Sequence, residues 1–170
     1  MNNLPDDTQV IEATFNQQLL VGVGMIALCV VIHGIGLFAL QRTMRSESTS
    51  ERIRKMEPLS IHGTLFTLAV VFAIIFIHFV EIWLFAFLYT YLGAQSSFQN
   101  ALYFSTISYS TVGYSDASIA RAWRLLGALE GILGVILLGW STAFFVRLLR
   151  RLESTERERA ALSAPPDDDG

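Results

Sequence analysis

Three long apolar segments constrain what this chain of 170 residues can fold into. They run from about Gln18 to Leu40, from about His62 to Leu92 and from about Trp123 to Phe145. Each reaches the roughly 20 residues with which an α-helix, rising about 1.5 Å per residue, crosses a bilayer. Charged residues make up only 16% of the chain, against about a quarter in soluble domains. The sequence therefore predicts an all-α membrane protein with three transmembrane helices.

Charge and cysteine content exclude several classes of function. The net charge of −3 gives no basic surface for nucleic acid. Cys29 is the single cysteine, so neither an intrachain disulfide nor a thiolate metal cluster can form. We therefore expect membrane lipid, and no nucleic acid, as a partner.

The polar segments predict an orientation in the membrane. Residues 1–16 contain acids and no basic residue, whereas the loop 41–60 contains five basic residues. By the positive-inside rule this loop is cytoplasmic, which places the N-terminus outside and the C-terminus in the cytoplasm of a multi-pass inner (plasma) membrane protein. The predicted division is a polar segment 1–16, a first transmembrane helix 17–40, a basic loop 41–60 that could hold an interfacial helix, a domain 61–149, and a charged tail 150–170 with a disordered end.

A short polar segment between the last two apolar segments carries a recognisable motif. Residues 105–116 read Ser-Thr-Ile-Ser-Tyr-Ser-Thr-Val-Gly-Tyr-Ser-Asp and are preceded by Ala-Leu-Tyr-Phe. The Thr-Val-Gly-Tyr tetrapeptide, with an acid two residues later, resembles the selectivity filter of tetrameric potassium channels. Residues 101–116 follow that family's pore-helix-plus-filter pattern almost position by position. The resemblance implies a re-entrant pore helix over about 97–108, a filter loop, and a two-helix pore domain over 61–149.

This resemblance implies a role for each filter residue. The backbone carbonyls of Thr111, Val112, Gly113 and Tyr114 would replace the hydration shell of K⁺, the permeant ion. Gly113 suits the task because such a row of carbonyls requires a backbone of alternating hand, which glycine reaches at little cost. The chain has one copy of the motif, so four subunits would form a homotetramer. Passive K⁺ conduction would need no catalytic residue, no cofactor and no substrate other than ions.

Several residues around the filter either support the pattern or depart from it. Tyr103 and Phe104 occupy the aromatic pair that braces the filter in this family. Ser115, at the outer mouth beside Asp116, stands where the family usually has glycine. Ile107 stands where the family often has an acid or valine, so an acid bridge from there to Asp116 is missing. The proline that commonly follows the filter is also missing.

Four residues in the apolar segments are candidate functional groups. By its distance from the filter, Gly134 resembles the family's gating hinge, with close helix packing as the alternative. His78 and Glu81 lie three residues apart on one helical face, where Glu81 could contact ions or pair with a polar side chain. Glu130 could face the central cavity or act as a hydrogen-bonding acid toward the second helix or the pore helix. We favour the second orientation, because four adjacent charges in a cavity would repel one another.

Other functions remain open at the level of sequence. Because of Ser115, the filter could be weakly selective or non-conducting, and the chain could instead be an accessory subunit of a larger membrane complex. An intramembrane metalloenzyme could use His33, His78, Glu81 and Glu130, although these residues lack a recognisable metal-binding spacing.

The departure at Ser115 generates a testable prediction. A left-handed conformation at this position costs a non-glycine residue about 1–2 kcal/mol, which a tetramer can tolerate at the outer mouth. We therefore expect the reconstituted protein to select K⁺ over Na⁺, with altered stability of the outer mouth. Equal permeability to the two ions in ion-substitution recordings would contradict this expectation.

Overall fold

The protein, described here from a computed structural model covering residues 7–45, 61–113 and 119–163, is helical. In chain order, the elements are α1 (Asp7–Arg45), α2 (Ile61–Tyr91), α3 (Phe98–Tyr109), a 3-10 turn (Arg121–Trp123) and α4 (Arg124–Ser163). These described ranges contain no β-strand. The segments long and apolar enough to cross a membrane are Phe15–Met44, Gly63–Tyr91 and Arg124–Arg150. The predicted all-α membrane protein with three spanning helices is therefore confirmed.

Two helices continue beyond the predicted spans. α1 begins at Asp7, inside the segment 1–16, and α4 continues through the charged tail as far as Ser163. Once a helix has formed, each added residue contributes its own backbone hydrogen bond, so polar residues can extend it past the apolar part. The interfacial helix was predicted in the loop 41–60, most of which is 46–60. The disordered end was predicted in 164–170. Both fall outside the described residues.

α3 begins at an identifiable local signal. Ser97 is the N-cap, with φ −153°, and its side chain accepts a hydrogen bond of 3.2 Å from the Asn100 amide. Such a cap satisfies one of the amides that the first turn of a helix leaves without a partner. Before α3, the chain leaves α2 through Gly93, whose φ of +61° is readily adopted by glycine. The observed bounds lie one residue from those predicted for the pore helix.

The first of two compact units comprises the chain up to Ile35 together with Phe76–Gly139. α3 contributes to its core through one face, on which Ala101, Ser105 and Tyr109 are buried at intervals of four residues. The buried apolar residues of this core are Cys29, Phe85, Ala86, Tyr89, Ala94, Ala101, Phe104, Ile119, Leu126, Leu133 and Leu137.

The second unit comprises Gly36–Ile75 and Trp140–Gly170. Its buried cluster is smaller and consists of Met44, Val70 and Leu148, with Leu40, Phe66, Ile74 and Phe145 packed against it. All of these side chains are apolar. The cluster of the second unit is therefore a purely hydrophobic contact between spanning helices.

Glycines bring α4 close to α3 within the first unit. A Cβ added at Gly127 would lie 2.9 Å from the Phe104 ring, and one added at Gly134 would overlap the backbone carbonyl of Tyr109. Gly134, which resembles a gating hinge in sequence, therefore packs against the C-terminal turn of α3. This geometry agrees with the alternative role of Gly134 in close helix packing. Its role as a gating hinge stays a prediction.

The contact at Gly134 can be tested against a matched glycine on the same helix. We expect Gly134→Ala to lower the free energy of unfolding by about 1–3 kcal/mol, because the added methyl group overpacks a close contact. Gly139 has nothing within 4 Å of an added Cβ, so Gly139→Ala should leave stability unchanged or raise it by less than about 1 kcal/mol. Thermal unfolding of the purified variants measures the difference. Equal stability of the two variants would argue against the close approach of α4 to α3.

Candidate functional site

The filter sequence begins directly after α3 and has a backbone of alternating hand. Thr111 has φ +61° and Gly113 has φ +45°, while Val112 between them keeps a negative φ. The amides of Val112 and Gly113 both donate to the Ile107 carbonyl, at 2.9 and 3.1 Å. The loop is therefore folded back onto the last turn of α3, and the backbone changes hand at successive residues.

Thr111 is an unfavourable residue for this conformation. Left-handed backbone costs a non-glycine residue about 1–2 kcal/mol, and a β-branched residue there is an outlier. Such strain persists where the surrounding structure maintains it, and it is found most often at functional sites. Sequence reasoning assigned the alternating backbone to Gly113 and missed the strain at Thr111, because threonine carries no sequence signal for a left-handed conformation.

The described part of the filter is exposed in the single chain. Thr111, Val112 and Gly113 are all exposed, and the Val112 side chain retains 52% of its accessible surface. The other predicted filter and mouth residues, 114–116, lie outside the described residues. The single chain thus presents Thr111–Gly113 on its surface.

The two residues predicted to support the filter point in different directions. Phe104 is buried, and its ring packs edge-on against the Tyr89 ring at a centroid distance of 5.2 Å. Tyr103 is 61% exposed. Within one chain, Phe104 therefore belongs to the core with α2 and α4, and a bracing role for the pair stays a prediction.

Glu130 on α4 is a buried acid that connects three helices. Tyr89 on α2 donates a hydrogen bond of 2.6 Å to Oε2, and the Ser105 hydroxyl on α3 donates to Oε1. The Ser105 Oγ also lies 2.9 Å from the Ile82 carbonyl of α2. Glu130 is therefore directed toward α2 and α3, which is the orientation favoured from the sequence.

Glu81 on α2 forms a second buried junction. The Tyr109 hydroxyl, at the end of α3, donates a hydrogen bond of 2.5 Å to Oε2, and His33 Nδ1 of α1 lies 2.9 Å from Oε1. His78 Nδ1 lies 3.3 Å from Oε2 and 2.8 Å from the Tyr109 hydroxyl. Glu81 is 0% exposed, so its partners are protein side chains on three helices.

Together the two carboxylates hold α3 in place. A carboxylate removed from water is strongly destabilising unless hydrogen bonds compensate it. Ser105 and Tyr109, four residues apart on the buried face of α3, supply donors to Glu130 and Glu81 respectively. These bonds fix the position of the last turn of α3, from which the chain continues into Thr111.

Sequence reasoning found the acids and missed most of their partners. It singled out His78, Glu81 and Glu130, but did not identify Ser105, Tyr109 or Tyr89 as partners of these acids. The one available signal was the spacing of Ser105 and Tyr109, which places two hydroxyl groups on one face of the pore helix. Nothing in the sequence indicated that their acceptors lie on different helices.

The four residues considered as metalloenzyme ligands do not form one site. His33, His78 and Glu81 each offer a donor atom within 4.8 Å of the others. Glu130 instead accepts hydrogen bonds from Ser105 and Tyr89. The structure therefore brings three of the four together and places the fourth in a separate junction.

The fold and this site define a multi-pass membrane protein with a short helix and a strained loop between two spanning helices. A family model described as "Ion channel" matches residues 64–151, slightly more than half of the chain. The chain therefore belongs to this ion channel family, whose pore is of the two-helix potassium-channel type, and the resemblance read from the filter motif is confirmed. The match includes α3, the filter loop and nearly all of α2, and leaves α1 outside. No curated protein and no solved structure matches the chain.

The hydrogen bond from Tyr109 to Glu81 predicts a difference between two tyrosines of α3. Tyr109→Phe removes a donor to a buried carboxylate, so we expect the free energy of unfolding to fall by about 1–3 kcal/mol. Tyr103→Phe removes the hydroxyl from an exposed ring and should change stability by less than about 0.5 kcal/mol. Denaturation of both variants in the same detergent measures the effect. A Tyr109→Phe variant as stable as Tyr103→Phe would show that the Glu81 junction does not hold α3.

Proposed function

We propose that this chain is a subunit of a potassium-selective channel, in which four copies of Thr111–Tyr114 line a central filter. The observation that best supports this function is the backbone of Thr111–Gly113, with positive φ at alternate residues directly after α3. Backbone carbonyls in such a segment can replace the hydration shell of a K⁺ ion. The ion would move passively down its gradient, so the chain acts in transport and catalyses no reaction.

A homotetramer follows from the number of filter strands. One chain carries one Thr-Val-Gly-Tyr segment, whereas an ion needs oxygens on all sides. Non-helical backbone is tolerated at membrane depth where it is buried in protein or lines a water-filled path. Assembly of four copies around the exposed filter residues would provide this environment. The basic loop 41–60 favours a cytoplasmic location for that loop and an outer location for the filter mouth.

A channel of weaker selectivity is the second candidate, and Ser115 favours it. A serine in place of the usual glycine alters the outermost part of the filter sequence. The sequence of residues 111–114 nevertheless matches the family pattern, so we place selective conduction first.

Two glycines with left-handed backbone allow a controlled test of the filter. Gly113 has φ +45° and Gly93 has φ +61°, and neither has an atom within 4 Å of an added Cβ. In bilayers with mixed K⁺ and Na⁺, we expect Gly113→Ala to reduce the K⁺ current by roughly tenfold or more, because each subunit gains about 1–2 kcal/mol of backbone strain in the conduction path.

Gly93→Ala is the matched control, since it introduces the same kind of strain between α2 and α3. It should retain wild-type selectivity and current. Wild-type current in Gly113→Ala would contradict the assignment of the filter, and equal losses in both variants would indicate a general folding defect.

A further inference from the structure

Four polar side chains converge in the first unit at the end of α3. His33 from α1 and His78 and Glu81 from α2 each contribute one donor atom, all within 4.8 Å of one another. We call these three residues the His33–His78–Glu81 cluster. The hydroxyl of Tyr109 lies beside it, 2.8 Å from His78 Nδ1. All three members are buried, and ionisable groups at membrane depth are rare and usually functional.

The donor set of this cluster suits a particular class of ion. Two imidazoles and a carboxylate ligate Zn²⁺ in many proteins, and the fourth position is taken by water or another donor. Mg²⁺ and Ca²⁺ prefer ligand sets made of oxygen. We propose that the His33–His78–Glu81 cluster binds a divalent transition-metal ion, represented by Zn²⁺, and that the bound ion reduces conduction. The binding step is independent of channel activity, whereas the effect on conduction rests on the proposed function.

The distances within the cluster are compatible with a metal ion. Zn²⁺ binds nitrogen and oxygen at about 2.0–2.2 Å, so two ligands of a tetrahedral ion lie about 3.3 Å apart. His78 Nδ1 and Glu81 Oε2 are separated by 3.3 Å, and His33 Nδ1 and Glu81 Oε1 by 2.9 Å. No pair in the cluster exceeds 4.8 Å. The three donor atoms are therefore close enough together for one ion to contact all of them.

A bound ion would replace protons that the cluster shares. The same nitrogen and oxygen atoms hydrogen-bond to one another, which satisfies them inside the protein. Metal ligands must be deprotonated, so binding exchanges these protons for the ion. The His78 side chain is 11% exposed, whereas the side chains of His33 and Glu81 are 0% exposed.

Tyr109 connects the cluster to the filter. Its hydroxyl donates to Glu81 Oε2, and the strained residue Thr111 follows two positions later. An ion bound to Glu81 would occupy the carboxylate oxygen that accepts this hydrogen bond, and the bond from Tyr109 would be lost. The last turn of α3 would then lose a contact that supports the unfavourable backbone of Thr111, which is why we expect occupancy to lower the K⁺ current.

Equilibrium Zn²⁺ binding to the purified full-length protein tests the site. We expect one Zn²⁺ per chain, with affinity reduced about tenfold or more in His33→Ala and His78→Ala. His62→Ala, which removes the remaining histidine of the sequence, should bind like the wild type, and excess Mg²⁺ should not compete. The visible absorption spectrum of Co²⁺ added to the wild-type protein reports the coordination of the bound ion without the use of any variant. Absence of stoichiometric Zn²⁺ binding, absence of a four-coordinate Co²⁺ spectrum, or undiminished affinity in both histidine variants would overturn the site.

Bilayer recordings test the effect on conduction. Saturating Zn²⁺ should lower the wild-type K⁺ current by about twofold or more, the change expected from the loss of one hydrogen bond. The Zn²⁺ concentration that gives half of this effect should be about tenfold or more higher in His33→Ala. Zn²⁺ binding without any change in current would overturn the regulatory step. A wild-type protein that binds Zn²⁺ and passes no K⁺ current would contradict the proposed function while supporting the metal site.

Discussion

The hydrogen bonding of two buried carboxylates determines where α3 lies. Glu81 and Glu130 are both 0% exposed, and a carboxylate away from water requires donors from the protein. Those donors include one hydroxyl each from Tyr109 and Ser105 on α3. A helix of 12 residues is marginal by itself in water. α3 therefore depends on its neighbours, and the filter backbone depends on α3.

Glycines on α4 allow this helix to pack closely against α3. Gly127 and Gly134 lie two helical turns apart and face Phe104 and the Tyr109 backbone of α3. Their missing side chains let α4 approach α3 closely enough for Glu130 to reach Ser105. The polar contacts fix the position of α3, and the glycine contacts maintain its distance from α4. Both kinds of contact act on the turn that precedes the strained Thr111, and this explains how the strain can persist.

The N-terminal part of α1 packs within the first unit, although the family match begins only at residue 64. His33 contacts Glu81, and the Gln18 side chain accepts a hydrogen bond of 3.2 Å from the Leu125 amide. Gly22 lies against the Leu129 side chain. α1 thus contacts both α2 and α4 through polar and close-packed residues. The part of the chain outside the family pattern is therefore connected, through Glu81 and Tyr109, to the end of α3.

The sequence by itself determined the features that depend on local pattern. Apolar length predicted three spans, and the filter motif placed the short helix within one residue of Phe98–Tyr109. The hydroxyl partners of Glu130, the contact between His33 and Glu81 and the role of Tyr109 were decided by the tertiary structure. A spanning helix is apolar on all sides, so its sequence has no polar face to indicate which side meets a neighbour. Only the packed helices show which buried acid meets which hydroxyl.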